Sequence, residues 1–379
     1  MKLLHVLTTL DVGGAEMHVL TQVRGQVARG HAVRVVYLKG DGRLAADFLA
    51  AGAEVARRVP VGPLFPWRLR ADVRWCDVVH SHLLKADVLT ALSALVLGAR
   101  QKLVSGKHND ERALLHPMVS RIHGLIGRVP RRTIVLSDHV GRFIEAHGRV
   151  PRARQTRIYY GIDPRPFARA ASDDALRRDT RAALGLAPDE VVFLCVARFA
   201  AQKAHDVLLR ATRLAADGLA PRVRLLLVGD DPFGDGRERA EAIARELQLA
   251  STPPRATDVV QFLGIRRDVP ALLAASDVFV MASRWEGLGL VFLEAMAAQR
   301  PCLTTHVSAI PEVVIDGETG LLVPPDDPGA LGAGMARLAD DPGLRARLGA
   351  AGARRVEASF GLDRMVDETL EVYRHVTRS

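Results

Sequence analysis

Short runs of β-branched and aliphatic residues alternate along the chain with longer stretches in which apolar and polar positions follow helical spacing. That order predicts parallel strands joined by crossover helices, an α/β protein. In the first half, residues 3–7, 33–38, 77–80, 102–105, 133–136 and 157–159 read as strands, and their near-continuous apolar character predicts burial on both faces. Residues 161–189 hold Pro164, Pro166, a charged stretch and Pro188, which reads as a hinge followed by a short helix. The alternation then restarts at 191–196, 224–228, 259–262, 278–281, 302–305 and 321–323. Two Rossmann-like, doubly wound domains are expected, 1–165 and 166–361, with a final helix at 362–377 packing back on the first domain. No fixed period of about 20–50 residues appears, which argues against a solenoid.

Composition agrees with two globular domains: 379 residues, 48% hydrophobic and 25% charged. The three cysteines, Cys76, Cys195 and Cys302, are scattered and form no C-x-x-C pair, so neither a disulfide framework nor a zinc site is expected. Polar His5, Thr8, Thr9 and Asp11 interrupt the opening apolar run before a signal-peptide core could form. The most apolar later stretch, 88–97, is about ten residues against the roughly 20 needed to cross a bilayer. A cytoplasmic location follows as an expectation. The net charge of +9 is unevenly spread, since nine arginines lie between Arg121 and Arg157 against only Asp138 and Glu145. A positive face of this kind attracts anionic lipid, nucleic acid or phosphorylated substrates, and it is also what a merely solvated arginine-rich surface looks like.

In open α/β sheets ligands bind beyond the carboxyl ends of strands, so residues just after the expected strands carry the chemistry. Gly13 and Gly14 follow the first strand and open a helix, where backbone N–H groups and the helix dipole can approach a phosphate or sugar; a plain tight turn has the same signature. No third glycine completes a dinucleotide fingerprint, and no phosphate-binding G-x-x-x-x-G-K-[ST] occurs. Arg198 and Lys203 follow the strand that opens the second domain, a planar fork and a point charge suited to a diphosphate leaving group. After the strand at 278–281, Glu286, Gly287, Leu288, Gly289 and Leu290 lead into a helix carrying Glu294. N–H groups at Leu288 to Leu290 can hold phosphate, Glu286 can accept hydrogen bonds from sugar hydroxyls, and Glu294 can accept them from a ribose diol.

These residues resemble the retaining glycosyltransferases of family 4, on the GT-B fold, over nearly the whole chain. The likeness rests on Arg198 to Lys203 (RFAAQK), Leu227 to Asp230 (LVGD), Phe262 to Gly264, Ala275 to Phe279, Glu286 to Ala297, Pro311 with Glu312, and Gly317 to Val323. It is looser in the first half: Gly13 and Gly14, His80 to His82, His108, Ser137 and Gly161 to Asp163. The resemblance implies that Arg198 and Lys203 bind the donor pyrophosphate, that Glu286 contacts the donor sugar, and that Glu294 contacts the ribose. Gly229 joins the donor-binding set. It further places His108 opposite the donor sugar and reaction centre, with His82 as the next choice, and Glu16, His82 and Asn109 on the acceptor side. Two departures stand out: Tyr160 where the family often has Asn, and Ala204 where it often has Gly.

The resemblance implies two domains facing each other across a cleft, a nucleotide-sugar donor, a sugar or lipid-linked acceptor, and retention of anomeric configuration. No Asp-x-Asp occurs and no cluster has metal spacing, so metal-independent transfer with no cofactor is expected. A nucleotide-sugar epimerase, a phosphorylase or sugar-phosphate synthase of the same architecture, and a non-catalytic basic scaffold are the alternatives. With aromatics at 5% and no recognisable motif, a nucleic-acid partner is not expected. Residues 114–126 carry apolar positions at helical spacing beside the arginines. They read either as a helix lying on an anionic membrane, at the cytoplasmic face of the inner membrane, or as a helix packed on the sheet.

Overall fold

The computed structural model describes residues 1–11, 13–217, 223–231, 234–253, 255 and 257–378. The chain divides into two compact units: Met1–Ile162 together with Phe360–Ser379, and Asp163–Ser359.

The first unit is built on β1 (Lys2–Leu7), β2 (Ala32–Tyr37), β3 (Val55–Arg58), β4 (Val78–His82), β5 (Leu103–Lys107), β6 (Arg132–Val135) and β7 (Gln155–Arg157). All pairings are parallel, in the order β3-β2-β1-β4-β5-β6-β7. Period-two alternation sorts β1 between two cores. Leu3 and Leu7 face the helices Gly14–Ala28 and Leu362–Arg378, while Leu4 and Val6 face the other layer with Phe65, Leu69 and Ala91. The final helix buries Met365, Val366, Leu370, Tyr373 and Val376, a stripe at helical spacing that joins the first of these cores. β3 was not expected from the sequence. It is an edge strand whose Arg57 and Arg58 are exposed, so it has no apolar run to announce it.

The second unit repeats the plan with β8 (Val191–Val196), β9 (Val223–Val228), β10 (Val260–Gly264), β11 (Val278–Met281), β12 (Cys302–Thr305) and β13 (Gly320–Val323), ordered β10-β9-β8-β11-β12-β13 and parallel throughout. In each unit the strand order reverses beside the first strand, at β1/β4 and at β8/β11. Chains leaving adjacent strands there diverge to opposite faces and open a crevice.

The stretch 114–126 forms a short turn and the helix Pro117–Ile126. Its buried positions are Ser120, His123 and Gly124, whereas Met118, Ile122 and Leu125 are exposed, Leu125 at 77%. The apolar stripe therefore faces outward rather than onto the sheet. No helix among the described residues is long and apolar enough to cross a membrane.

Candidate active site

In the second unit the chemistry collects beyond β8 and β11, the two strands at the reversal. Arg198 lies two residues past β8, exposed, with no carboxylate partner among the described residues. The loop then makes a short turn, Ala201–Lys203, and closes through Ala204 at φ 48° and ψ 49°. This left-handed conformation explains why glycine suits the position; the buried alanine holds it at a cost of about 1–2 kcal/mol. The turn is tied to the loop after β11: Arg284 N–H donates to the Gln202 carbonyl at 2.8 Å and the Gln202 amide donates to the Trp285 carbonyl at 2.8 Å. Arg284 adds bonds to Asp206 at 2.9 Å and Asp326 at 2.7 Å. This bracing brings Lys203 Nζ onto Glu286 Oε1, both largely buried, with Ser283 Oγ donating to the same oxygen at 3.2 Å. Two residues 83 apart in sequence thus form one ion pair at the floor of the strand ends.

Gly289 caps the helix Leu290–Ala297 at φ 80°. A Cβ there would stand 2.5 Å from the Phe292 ring, so both conformation and space require glycine. Gly287 and Leu288 are buried in the approach to this helix. Glu294 lies one turn in, half-buried and without a hydrogen-bond partner among the described residues, and burial pushes its carboxyl up to about 7. Gly229, just beyond β9, has a different reason to be glycine: a Cβ would lie 1.9 Å from the Ala197 carbonyl oxygen. Close packing of the β8 and β9 loops dictates it.

In the first unit, Gly13 caps the helix Gly14–Ala28, and Glu16 in its first turn is buried and accepts from Thr9 Oγ1 at 2.7 Å. A Cβ on Gly13 would meet the Glu16 carboxylate at 2.5 Å, whereas nothing lies within 4 Å of one on Gly14. His82 and His108 meet directly, His82 Nδ1 to His108 Nε2 at 2.9 Å. Asn109, next in sequence, is exposed.

The pair belongs to a longer chain that sequence reasoning missed. Gln26 Oε1 accepts from His5 Nε2 at 2.9 Å, and that choice fixes every proton beyond it. His5 Nδ1 then accepts from His82 Nε2 at 2.9 Å, His82 Nδ1 accepts from His108 Nε2, and His108 Nδ1 accepts from Tyr160 OH at 2.7 Å. Both nitrogens of His108 are engaged inside the unit, one of them by the residue that departs from the family pattern. Tyr160 also stacks on His18, ring centroids 3.9 Å apart. A second branch runs from Gln22 to Tyr373 OH at 3.2 Å and on to His80 Nδ1 at 2.6 Å. Burial lowers these imidazoles, His5 to about 4 and His108 to about 3, the latter helped by Lys107, and His18, His80 and His82 move in the same direction, so all are neutral at pH 7. The only sequence signal was the alternation His80, His82 on β4 beside His5 on β1, strands that pair with His5 opposite His80.

The same pairing gathers His5, His80 and His82 with one nitrogen each within 4.8 Å, the one group among the described residues with the reach to hold a metal ion. His5 and His82 already spend nitrogens on each other, which an ion would have to break.

Two family models match the chain: one described as Glycosyltransferase Family 4 over residues 12–165, and one described as Glycosyl transferases group 1 over residues 190–341. A D-inositol 3-phosphate glycosyltransferase of Streptomyces scabiei is 39% identical over 203 residues, which cover 52% of this chain and 44% of the relative. The chain spans about half the length of the first curated relatives it matches. A D-inositol 3-phosphate glycosyltransferase of Streptomyces griseus aligns more fully, at 28% identity over 98% of this chain and 86% of its own. Among solved structures, Anabaena Alr3699/HepE in complex with UDP superimposes with a TM-score of 0.86 at 21% identity, covering 99% of this chain and 100% of that one. This likeness shows the GT-B fold.

Proposed function

Because the chain belongs to the group 1 glycosyltransferases of family 4, we propose that it is a retaining enzyme that moves a hexose-type sugar from a UDP- or GDP-sugar to a glycan, lipid-linked or small-molecule acceptor in cell-surface glycan biosynthesis. The observation that carries this reading is the set at the β8/β11 reversal: Arg198 and Glu294, neither side chain with a charge or hydrogen-bond partner among the described residues, the buried Lys203–Glu286 pair and a glycine-capped helix start. Departure of a nucleoside diphosphate builds negative charge on phosphate and positive charge on the anomeric carbon. Arg198, Lys203 and the N–H groups at Leu290 meet the first, and Glu286 meets the sugar. On this reading donor binding divides the ion pair, Lys203 turning to phosphate and Glu286 to hydroxyls. Glu294 takes the ribose diol, and its raised pKa fits a carboxyl that waits without a partner. These fixed cations do the work without a metal.

In this proposal His108 faces the donor sugar and reaction centre, and Glu16, His82 and Asn109 stand on the acceptor side. The inositol 3-phosphate in the relatives' names makes a phosphorylated polyol a natural member of the acceptor panel, and the UDP in the Anabaena complex makes UDP-sugars the first donors to try. Exposed Met118, Ile122 and Leu125 beside Arg121 support peripheral contact with an anionic bilayer, apolar side chains entering the interface while arginine meets headgroup charge.

The test is release of nucleoside diphosphate from a panel of UDP- and GDP-sugars, with chelator present. One donor should be turned over, and Arg198→Ala and Glu286→Ala should each lower that rate by about 10²–10³. Retention of the rate within about threefold in both variants would remove these residues from the site, and loss of activity on chelation would refute the metal-free reading.

A further inference from the structure

β5, β6 and β7 are adjacent and parallel, so the residues just before or at their starts lie together along one edge of the first unit. Four of them are arginines: Arg100 ahead of β5, Arg131 and Arg132 at the start of β6, and Arg154 ahead of β7. They line an open pocket of about 490 Å³ together with His375 of the final helix. The volume falls within the roughly 300–1,000 Å³ usual for small-molecule sites.

Their bonding sets these arginines apart. Arg29, Arg152 and Arg165 in the same chain pair with aspartates. Arg100 and Arg154 instead donate to the Arg128 carbonyl, at 3.3 and 2.6 Å, and Arg132 donates to the Ala153 carbonyl at 2.9 Å and to His375 Nε2 at 3.0 Å. None of the four has a carboxylate partner among the described residues, and no acidic side chain lines the pocket. Backbone carbonyls orient Arg100, Arg132 and Arg154 without neutralising them, and Arg131 lines the pocket beside them. Four cations around one pocket, three of them held in place by carbonyls, repel one another and are relieved by an anion that accepts several planar forks at once.

We propose that this pocket is a binding site for a phosphate ester or diphosphate, separate from the transfer site. His82 and His108 lie at the carboxyl ends of β4 and β5, and a five-residue strand puts them about 15 Å from the pocket. The site does not depend on the transferase reading, and either test can fail alone. Phosphate of this kind occurs on soluble metabolites and on lipid headgroups. The exposed Leu95 and Val96 end the helix that leads to Arg100, and Leu125 precedes Arg128 by one turn, so a headgroup in the pocket would have apolar neighbours to follow.

The experiment is run on the Arg198→Ala protein, so that the transfer site's exposed cation does not hold the probe: it is titrated with pyrophosphate and, separately, sedimented with phosphatidylcholine vesicles with and without phosphatidic acid. Arg131→Glu, Arg131→Lys and Arg70→Glu are compared. Arg70 is exposed on the helix Phe65–Trp75, outside the pocket, and its reversal makes the same change in net charge. Arg131→Glu should weaken binding at least about tenfold and Arg131→Lys by less, since lysine keeps the charge but loses the planar fork, while Arg70→Glu stays within about twofold. Loss on pyrophosphate identifies a soluble ligand; loss on phosphatidic acid vesicles alone identifies a headgroup. Equal losses in Arg131→Glu and Arg70→Glu mean diffuse attraction and overturn the site. So does pyrophosphate binding that survives Arg131→Glu, or no binding to either probe.

Discussion

Between about pH 7.5 and pH 5.5 the first unit is expected to lose several kcal/mol of stability while the second changes little. A histidine whose folded pKa lies below the unfolded 6.5 binds its proton only in the unfolded chain, so stability is complete above 6.5 and falls as pH drops toward the folded value. His5, His108 and His123 sit near 4, 3 and 4, each lowered mainly by burial. At about 1.4 kcal/mol per histidine per pH unit, these three cost about 4 kcal/mol by pH 5.5. His18, His80 and His82 add to the loss. Glu111 acts the other way: burial raises it to about 7, so the folded unit takes up its proton first, returning about 2 kcal/mol. In the second unit His205, near 4, is nearly cancelled by Glu294, near 7. Hydrogen exchange at the two pH values, followed in peptides from β1, β4 and β5 against β8 and β11, measures both units at once. Equal protection of the first unit at both pH values would mean that a folded-state histidine carries charge.

Gly229→Ala is expected to destabilise the second unit by about 3 kcal/mol or more, whereas Gly14→Ala in the first leaves stability within about 0.5 kcal/mol. The new methyl at 229 would lie 1.9 Å from a backbone oxygen, and backbone on both sides must move because β8 and β9 pair along their full length. A displaced Ala197 carries Arg198 with it, so UDP affinity should fall along with stability. At Gly14 nothing lies within 4 Å and the position opens a helix, where alanine is acceptable. Urea unfolding with UDP titration checks both. A tolerated Gly229→Ala would show that the β8 and β9 loops are looser than this packing.

Each of the twelve strands expected from alternation is present to within a few residues, though the run at 157–159 overlaps β7 only at Arg157. Strands buried on both faces must be apolar throughout, and that requirement is written locally in the chain. The same locality marks Arg198, Lys203, Glu286 and Glu294, because charged residues just past a strand end, or at the helix start that follows it, are readable in the sequence wherever they occur. β3 was illegible for the converse reason: an edge strand with two exposed arginines needs no apolar run.

The roles of the glycines were alike on paper and differ in space. Gly229 answers to a neighbouring loop, Gly289 to its own φ and Phe292, and Gly14 to no neighbour within 4 Å. The histidine chain belongs wholly to tertiary structure. Gln26, His5, His82, His108 and Tyr160 come from separate elements, and Tyr373 reaches Gln22 across 351 residues. By itself the sequence determined the fold class, the strands and the charged residues at their ends, since burial and turn chemistry act between neighbours in the chain. Only the tertiary structure decided which nitrogen holds each proton, which arginines go without a carboxylate, and which glycine answers to which contact, because each depends on groups that folding alone brings within 3 Å.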